Sequence, residues 1–462
     1  MNLTNKVLMI AYAFPPMPYA GVYRTLRFVK NLPGLGWQPL VLTLKECPDL
    51  ERDPSLLDQI PPEARIYRTA TIDPVRWLWR RQKSAKDKKG KSNLVKGNAG
   101  PSGNSIPQAG WARRIKDLIL RVVSFPDHMI FWVPFAVARG ILVMAKEKPT
   151  VIYSTSPPHS AHLSALILSW LFRKPWVADF RDAWGDADNF TEQCFESVFL
   201  ERQALRIEGW IFQRATKVIM VSDLYRDAAR KRYPNLDFEK FETITNGFDP
   251  DDVKNLEPLQ QDKFTVVYTG AFYAYRQPDL FLDGLKYWRD HYPHDNLDDQ
   301  FQTLFVGSTS DELRKKIAER GVENLVRLVG FVPKSEAMRY NLGAHLLLLI
   351  IGFNPGSEGI LTSKIFDYFL CRKNILALVP EGEAAKLIRS SKTGYVISRI
   401  SPEEVAEIIE AQFRAFKVND ETVFQPAEAV VKNYHAHTLT KELTDCLVEA
   451  VHPQRLMEAK NV

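Results

Sequence analysis

Cysteine is scarce. The chain has four in 462 residues, at Cys47, Cys194, Cys371 and Cys446, far apart and with no C-x-x-C pair. That spacing argues against a zinc site and a disulfide framework, and it fits a reducing compartment. A long hydrophobic run is also lacking. The apolar stretch 7–13 is too short for a cleaved signal peptide and lacks its flanks. The run 346–351 is far below the roughly 20 residues that a spanning helix needs. Residues 129–145 are apolar overall, but Pro134 and Arg139 interrupt them, so they read as a buried or surface-docked helix rather than a span. Charge of one sign is not extreme. The net charge of +6 favours an anionic partner, and a nucleotide, a membrane surface or nucleic acid would each do. A cytoplasmic protein is expected, with a possible peripheral position at the inner membrane face and no nucleic-acid partner.

What is present is ordinary core material, with 45% apolar and 25% charged residues, in a chain long enough for two domains. Val7-Leu8-Met9-Ile10 reads as a buried strand, broken by Phe14-Pro15-Pro16. Residues 22–32 follow as a helix, and Leu40-Val41-Leu42 as a second strand. Strand, loop, helix, strand opens a parallel α/β sheet. The rhythm continues with strands at 151–153, 176–178, 218–221 and 241–244, the last ending in the turn signal Asn246-Gly247. Near residue 255 the pattern restarts. Strands at 265–268, 303–306, 326–329 and 346–351 each run into a glycine (Gly270, Gly307, Gly330, Gly352), and 375–379 is a fifth. Glycines there suit backbone that turns sharply or approaches a ligand. Residues 402–451 read as helical and polar.

Two segments stand apart. Residues 83–110 are rich in Lys, Ser, Gly, Asn and Pro and read as a flexible insertion. Residues 111–123, from Trp111 to Val123, alternate cations with apolar residues. They form either a basic amphipathic helix suited to an anionic lipid surface or a core helix with a basic outer face.

The densest chemistry lies in Gly356-Ser357-Glu358-Gly359-Ile360-Leu361-Thr362-Ser363-Lys364-Ile365-Phe366-Asp367-Tyr368. A glycine-bearing loop leads to an N-cap at Thr362 or Ser363, which puts Lys364 in the first turn of a helix. A cation there opposes the helix dipole unless an anion joins them, and a helix N-terminus plus a lysine suits a diphosphate. Asp367, three residues on, shares that face and suits the hydroxyls of a ribose. A plain i,i+3 ion pair is the other reading. Arg276, beyond Gly270, is a second cation for the diphosphate. In the first half, Gly21 offers close backbone approach to a ligand. His162 stands in the first turns of a helix and faces a cleft if its side is open. Asp182, in Asp179-Phe180-Arg181-Asp182, follows a buried strand at the end where α/β sheets bind ligands. His162 and Asp182 are the candidate catalytic residues.

These residues resemble the retaining GT-B glycosyltransferases of glycosyltransferase family 4, over nearly the whole chain less 83–110. The resemblance rests on Tyr12-Ala13-Phe14-Pro15-Pro16 with Gly21, Thr155-Ser156-Pro157-Pro158 and Ala178-Asp179-Phe180-Arg181-Asp182. Asn246-Gly247-Phe248-Asp249, Tyr268-Thr269-Gly270 and Ser363-Lys364-Ile365-Phe366-Asp367-Tyr368 complete it. It implies an α/β fold of two Rossmann-like domains facing across a cleft: an acceptor domain over 1–250, a nucleotide-sugar domain over 251–435, and a C-terminal helix within 436–462 returning to the first. It implies a metal-independent hexosyltransferase, its donor a nucleotide diphosphate sugar as co-substrate, its acceptor a glycan or lipid-linked glycan. It also puts Asp367 at the ribose, Lys364 and Arg276 at the diphosphate, Glu358 at the sugar and His162 near it. Many members carry two glutamates eight positions apart; here Glu358 and Asp367 stand nine apart. A nucleotide-sugar epimerase on the same fold and a non-catalytic nucleotide-sugar-binding or scaffold protein remain as alternatives.

Overall fold

The computed structural model describes residues 5–45, 52–72, 125–182, 184, 198–272, 276–420 and 424–452. The expected insertion and the segment 111–123 lie outside them, as do Cys47 and Cys194; Cys371 and Cys446 are free and buried.

The first domain is a seven-stranded parallel sheet in the order β3-β2-β1-β4-β5-β6-β7. Its elements run β1 (Asn5–Ile10), α1 (Ala20–Asn31), β2 (Trp37–Leu44), β3 (Arg65–Thr69), α2 (Val133–Glu147), β4 (Val151–Ser156), α3 (Ser160–Phe172), β5 (Trp176–Phe180), α4 (Val198–Arg214), β6 (Lys217–Met220), α5 (Asp223–Arg232) and β7 (Phe241–Thr243). The central strands are apolar on both faces because helices cover both. Leu8, Ile10, Ile152, Ala178 and Val218 pack under α2, α3 and α4. Val7, Met9, Tyr153, Val177 and Ile219 face α1 and a helix from the far end of the chain.

The second domain is a six-stranded parallel sheet, β10-β9-β8-β11-β12-β13. It is built from β8 (Phe264–Thr269), α6 (Asp279–His291), β9 (Phe301–Val306), α7 (Asp311–Glu319), β10 (Val326–Gly330), α8 (Lys334–Leu342), β11 (Leu346–Ile350), α9 (Ser363–Cys371), β12 (Asn374–Leu378), α10 (Glu383–Ser391) and β13 (Gly394–Ile397). Three helices follow: α11 (Pro402–Lys417) on α6, then α12 (Glu428–Lys432), then α13 (Ala436–Val451). Through Leu439, Leu443 and Leu447, α13 packs on Leu26 and Val29 of α1. Each sheet reverses its strand order beside its first strand, with Val7 opposite Val151 and Val266 opposite Leu346. Such switch points leave a crevice at the carboxyl ends of the strands.

The chain crosses between domains twice, and the crossings are bonded together. Phe248 N–H donates to Tyr434 O at 3.0 Å and Ala436 N–H to Phe248 O at 2.7 Å. The Asn246-Gly247 signal is therefore a crossing point rather than a free turn. A side chain at Gly247 would run into the Tyr434 carbonyl and Leu439. Sequence reading did not find β3 or β13, both half-exposed edge strands. The strand expected at 151–153 runs on to Ser156, and its last three residues are buried. The helical run His128–Glu147 is long and apolar enough to cross a membrane, but Ala136, Val143 and Met144 lie against the sheet.

One buried ion pair anchors the first domain. Arg24 donates to both oxygens of Asp179, at 2.8 and 3.1 Å. Tyr153 and Thr155 hydroxyls donate to the same carboxylate at 2.6 and 2.8 Å. Burial alone would raise the Asp179 pKa, but Arg24 and the two hydroxyls hold it below the usual value. Asp179→Ala should cost about 3–5 kcal/mol, because it strands the Arg24 charge; urea unfolding measures it, and a loss below about 1 kcal/mol would refute the anchor. Burial also pushes the His162 imidazole down to about 3. The unfolded chain takes that proton near pH 6.5, so it binds more protons than the folded chain between those values. Stability should be full above that window and fall as pH drops through it. The fall should be shallower in His162→Gln, followed by urea midpoints across the pH range.

Candidate functional site

A cavity of about 770 Å³ opens where the carboxyl ends of both sheets face each other. Among the described residues its walls carry five cations, Arg24, Arg27, Arg52, Lys334 and Lys364, against two carboxylates, Asp53 and Asp367. The balance suits an anionic ligand.

Lys364 sits where the sequence suggested. Thr362 is the N-cap in extended conformation, with no side-chain hydrogen bond to the helix, so Ser363 and Lys364 carry the N-terminus of α9 to the cavity wall. Gly270, at φ +132°, leaves room for the Lys364 ammonium; a Cβ there would stand 2.6 Å from Nζ. Lys364 donates to the Tyr268 hydroxyl at 3.0 Å and lies 4.2 Å above that ring. Among the described residues it makes no ion pair. Burial, then the nearby Arg276 charge, push its pKa well below the usual lysine value, with Asp367 pulling the other way. A part-buried ammonium facing a second cation is costly until an anion arrives. Arg276 thus acts on Lys364 through space, although it does not line the cavity.

One turn along α9, Asp367 also lines the cavity. Its carboxylate meets Lys334 Nζ at 3.5 Å and Arg27 Nη2 at 3.8 Å. Lys334 lies 3.6 Å above the Tyr23 ring of the first domain, so Asp367 is held from both domains. Sequence reading missed Arg27, Lys334 and Tyr23. The available signals were Arg24 and Arg27 at i,i+3 on one helix face, and a lysine directly after Phe331-Val332-Pro333 at a strand end.

Four candidates lie elsewhere. His162 is fully buried, not in the cleft; it shares the sheet-facing side of α3 with Ala161, Ala165 and Leu168. Its Nδ1 is 2.8 Å from Ser154 Oγ and its ring packs on Phe180 at 4.3 Å. Asp182 is exposed and lines no part of the cavity. Gly21 faces the Arg181 guanidinium rather than a ligand; any side chain there would occupy the same space. Glu358 is exposed on the turn Ser357–Gly359, away from the cavity. That turn docks on α5, where Ser222 Oγ donates to Gly359 O at 3.0 Å and the Tyr225 ring covers Gly359.

The comparisons with known proteins agree with this architecture. Residues 21–247 match the family described as glycosyl transferase 4-like domain. Among solved structures, HepE of Anabaena in complex with UDP-glucose is 16% identical, with a TM-score of 0.60 over 96% of this chain and 99% of that one. Sucrose-phosphate synthase of Thermosynechococcus elongatus is 14% identical, with a TM-score of 0.60 over 96% and 98%. TarM, known from S. aureus, is 11% identical, with the same score over 96% and 98%. At these identities the likeness is one of fold, and the fold is GT-B. No curated protein matches in sequence.

Lys364→Ala and Asp367→Ala should each weaken binding of a nucleoside diphosphate by about 1.5–3 kcal/mol, the worth of a charge-assisted contact, and leave the fold intact. Calorimetric titration measures this, and unchanged affinity in both variants would sink the assignment.

Proposed function

We propose that this chain, a GT-B protein whose residues 21–247 are a glycosyl transferase 4-like domain, moves a hexose from a nucleotide diphosphate to a glycan or lipid-linked acceptor. Its setting in this reading is cytoplasmic synthesis of cell-surface polysaccharide or glycoconjugate. The observation that carries the proposal is the cavity wall that joins the α9 N-terminus, the part-buried Lys364, which makes no ion pair among the described residues, and, one turn on, Asp367. HepE and TarM both have structures with UDP, which makes uridine the first base to test.

In this reading the diphosphate lies across the start of α9. As the bond between the anomeric carbon and the phosphate oxygen breaks, negative charge gathers on the leaving diphosphate. Lys364 and the first-turn N–H groups of α9 receive that charge from fixed positions, with Arg276 adding to the field, so little reorganisation accompanies the step. Side-chain cations supply the neutralisation, which makes the proposed transfer metal-independent. Asp367 accepts the ribose hydroxyls, and Lys334 and Arg27 orient its carboxylate. The first domain offers the acceptor side of the cavity through Pro18 before α1, Tyr23 on α1 and Arg52 beyond β2.

A thermal-shift panel of nucleoside diphosphates and their sugars tests the proposal. One base should stabilise the chain, as diphosphate and as sugar donor. The matching donor should then release nucleoside diphosphate when a glycan acceptor is added. Stabilisation by none of the panel would overturn the reading; binding without release in the presence of acceptors would favour a scaffold.

A further inference from the structure

The helices α2, α3 and α4 lie side by side on one face of the first sheet. Gly140 of α2 sits against Leu168 of α3, so closely that a Cβ would run into the leucine. Their inner sides are spent on the core. Their outer sides are unusual for a soluble surface. Leu142 is 60% exposed, Trp170 73%, Phe199 64% and Trp210 53%, with Ile141, Ile167 and Leu171 also exposed. Ile167, Trp170 and Leu171 fall at i, i+3 and i+4, a stripe along the outside of α3. Among the described residues of the second domain, the large exposed apolar side chains, Phe331, Phe353, Ile400 and Val418, all lie in loops, so no second-domain helix presents such a stripe.

Among the described residues, the exposed charges of these helices have one sign. Arg139, Lys146, Lys148, Arg173, Arg202 and Arg206 are exposed on these helices and at their ends. The acidic residues of the same helices are turned inward. Glu147 is buried against Lys6 and Arg65. Glu208 is buried against Arg232 and Tyr233, and Glu201 is half-buried. Among the described residues, the three helices therefore present tryptophan, phenylalanine and leucine among cations, with no fully exposed acid.

We infer that the α2–α3–α4 face docks on an anionic lipid bilayer, with Trp170, Leu142 and Phe199 entering the headgroup boundary and the surrounding arginines and lysines meeting lipid phosphates. A bilayer with anionic headgroups offers apolar depth and negative charge together, which is what this face presents. Aromatic rings favour that boundary, and long cationic side chains reach phosphates from it. A second copy of this chain fits poorly, because a two-fold contact would set the same cations against each other. This surface is separate from segment 111–123, and the inference does not depend on the transferase reading, since lipid binding needs no substrate.

Vesicle flotation of the full chain tests it, with phosphatidylcholine alone and mixed with phosphatidylglycerol. The chain should float with the mixed vesicles, do so little with the neutral ones, and be released by high salt. The double variant Leu142→Ser, Trp170→Ser alters only exposed positions, and circular dichroism should show its fold unchanged. It should lose at least about ten-fold in partitioning, the scale of burying two large apolar side chains. Arg202→Glu with Arg206→Glu should remove the preference for anionic vesicles. Equal partitioning into both vesicles, or full binding by the double serine variant, would overturn the inference. So would a concentration-dependent dimer that Trp170→Ser disperses, which would make a second copy the occupant.

Discussion

Three cations at every third position of α1, Arg24, Arg27 and Lys30, hold the chain where it leaves the first domain. Arg24 is buried against Asp179 and also donates to the carbonyls of Ile244 and Thr245. Arg27 reaches the Gly247 carbonyl and pairs with Asp252 at 2.6 Å. Lys30 pairs with Asp249 at 2.8 Å and Asp251 at 2.7 Å. A buried guanidinium is costly unless partners meet it; apart from Arg27 Nε, which has none, most of the partners here are residues of the crossing. The crossing therefore cannot shift without stranding charge. The returning chain bonds to it at Phe248, and α13 then covers the apolar side of α1. One helix thus fixes both crossings and, through them, how the two sheets face each other.

The cavity inherits its character from that arrangement. Its first-domain wall is the start of α1, so Tyr23, Arg24 and Arg27 enter it because they lie on the helix face turned to the crossing. Its second-domain wall is the row of strand ends and the start of α9. The cations of α1 are matched by carboxylates and carbonyls. Lys364 is matched by a phenol alone. The unspent positive charge lies in the second domain, which is why the donor's diphosphate is assigned there and the acceptor to the other side.

Much of the fold was legible because central strands of parallel sheets are unbroken apolar runs, and these runs mark β1, β4, β8 and β11 without ambiguity. Edge strands β3 and β13 have one side open and carry a mixed pattern, so no run marks them. Lys364 and Asp367 were legible through a local anomaly: a lysine at a helix start is wrong for the helix alone. Lys334 and Arg27 were not, because what distinguishes them is a partner in a distant part of the chain. His162 was misread because α3 is apolar almost all round. Its sequence does not say which side faces the sheet, and the histidine fell on the inside. Glu358 was misread because a glycine-flanked loop beside a ligand site and one beside another domain use the same residues.

Gly21 and Gly270 sharpen that last point. Both stand at or near strand-to-helix loops, and both owe their lack of a side chain to a cation pressed against them. At Gly21 the cation is Arg181, whose Nε donates to the Ser156 carbonyl at 2.9 Å and whose Nη2 donates to the Pro157 carbonyl. Its guanidinium braces the end of β4 and packs against the start of α1, and that is a structural task. At Gly270 the cation is Lys364, tied to one hydroxyl and repelled by Arg276. The glycine has the same steric role in both places. Neither cation makes an ion pair among the described residues; what separates the two is that Lys364 lines the cavity, open to a ligand, while Arg181 does not and spends its hydrogen bonds on two backbone carbonyls.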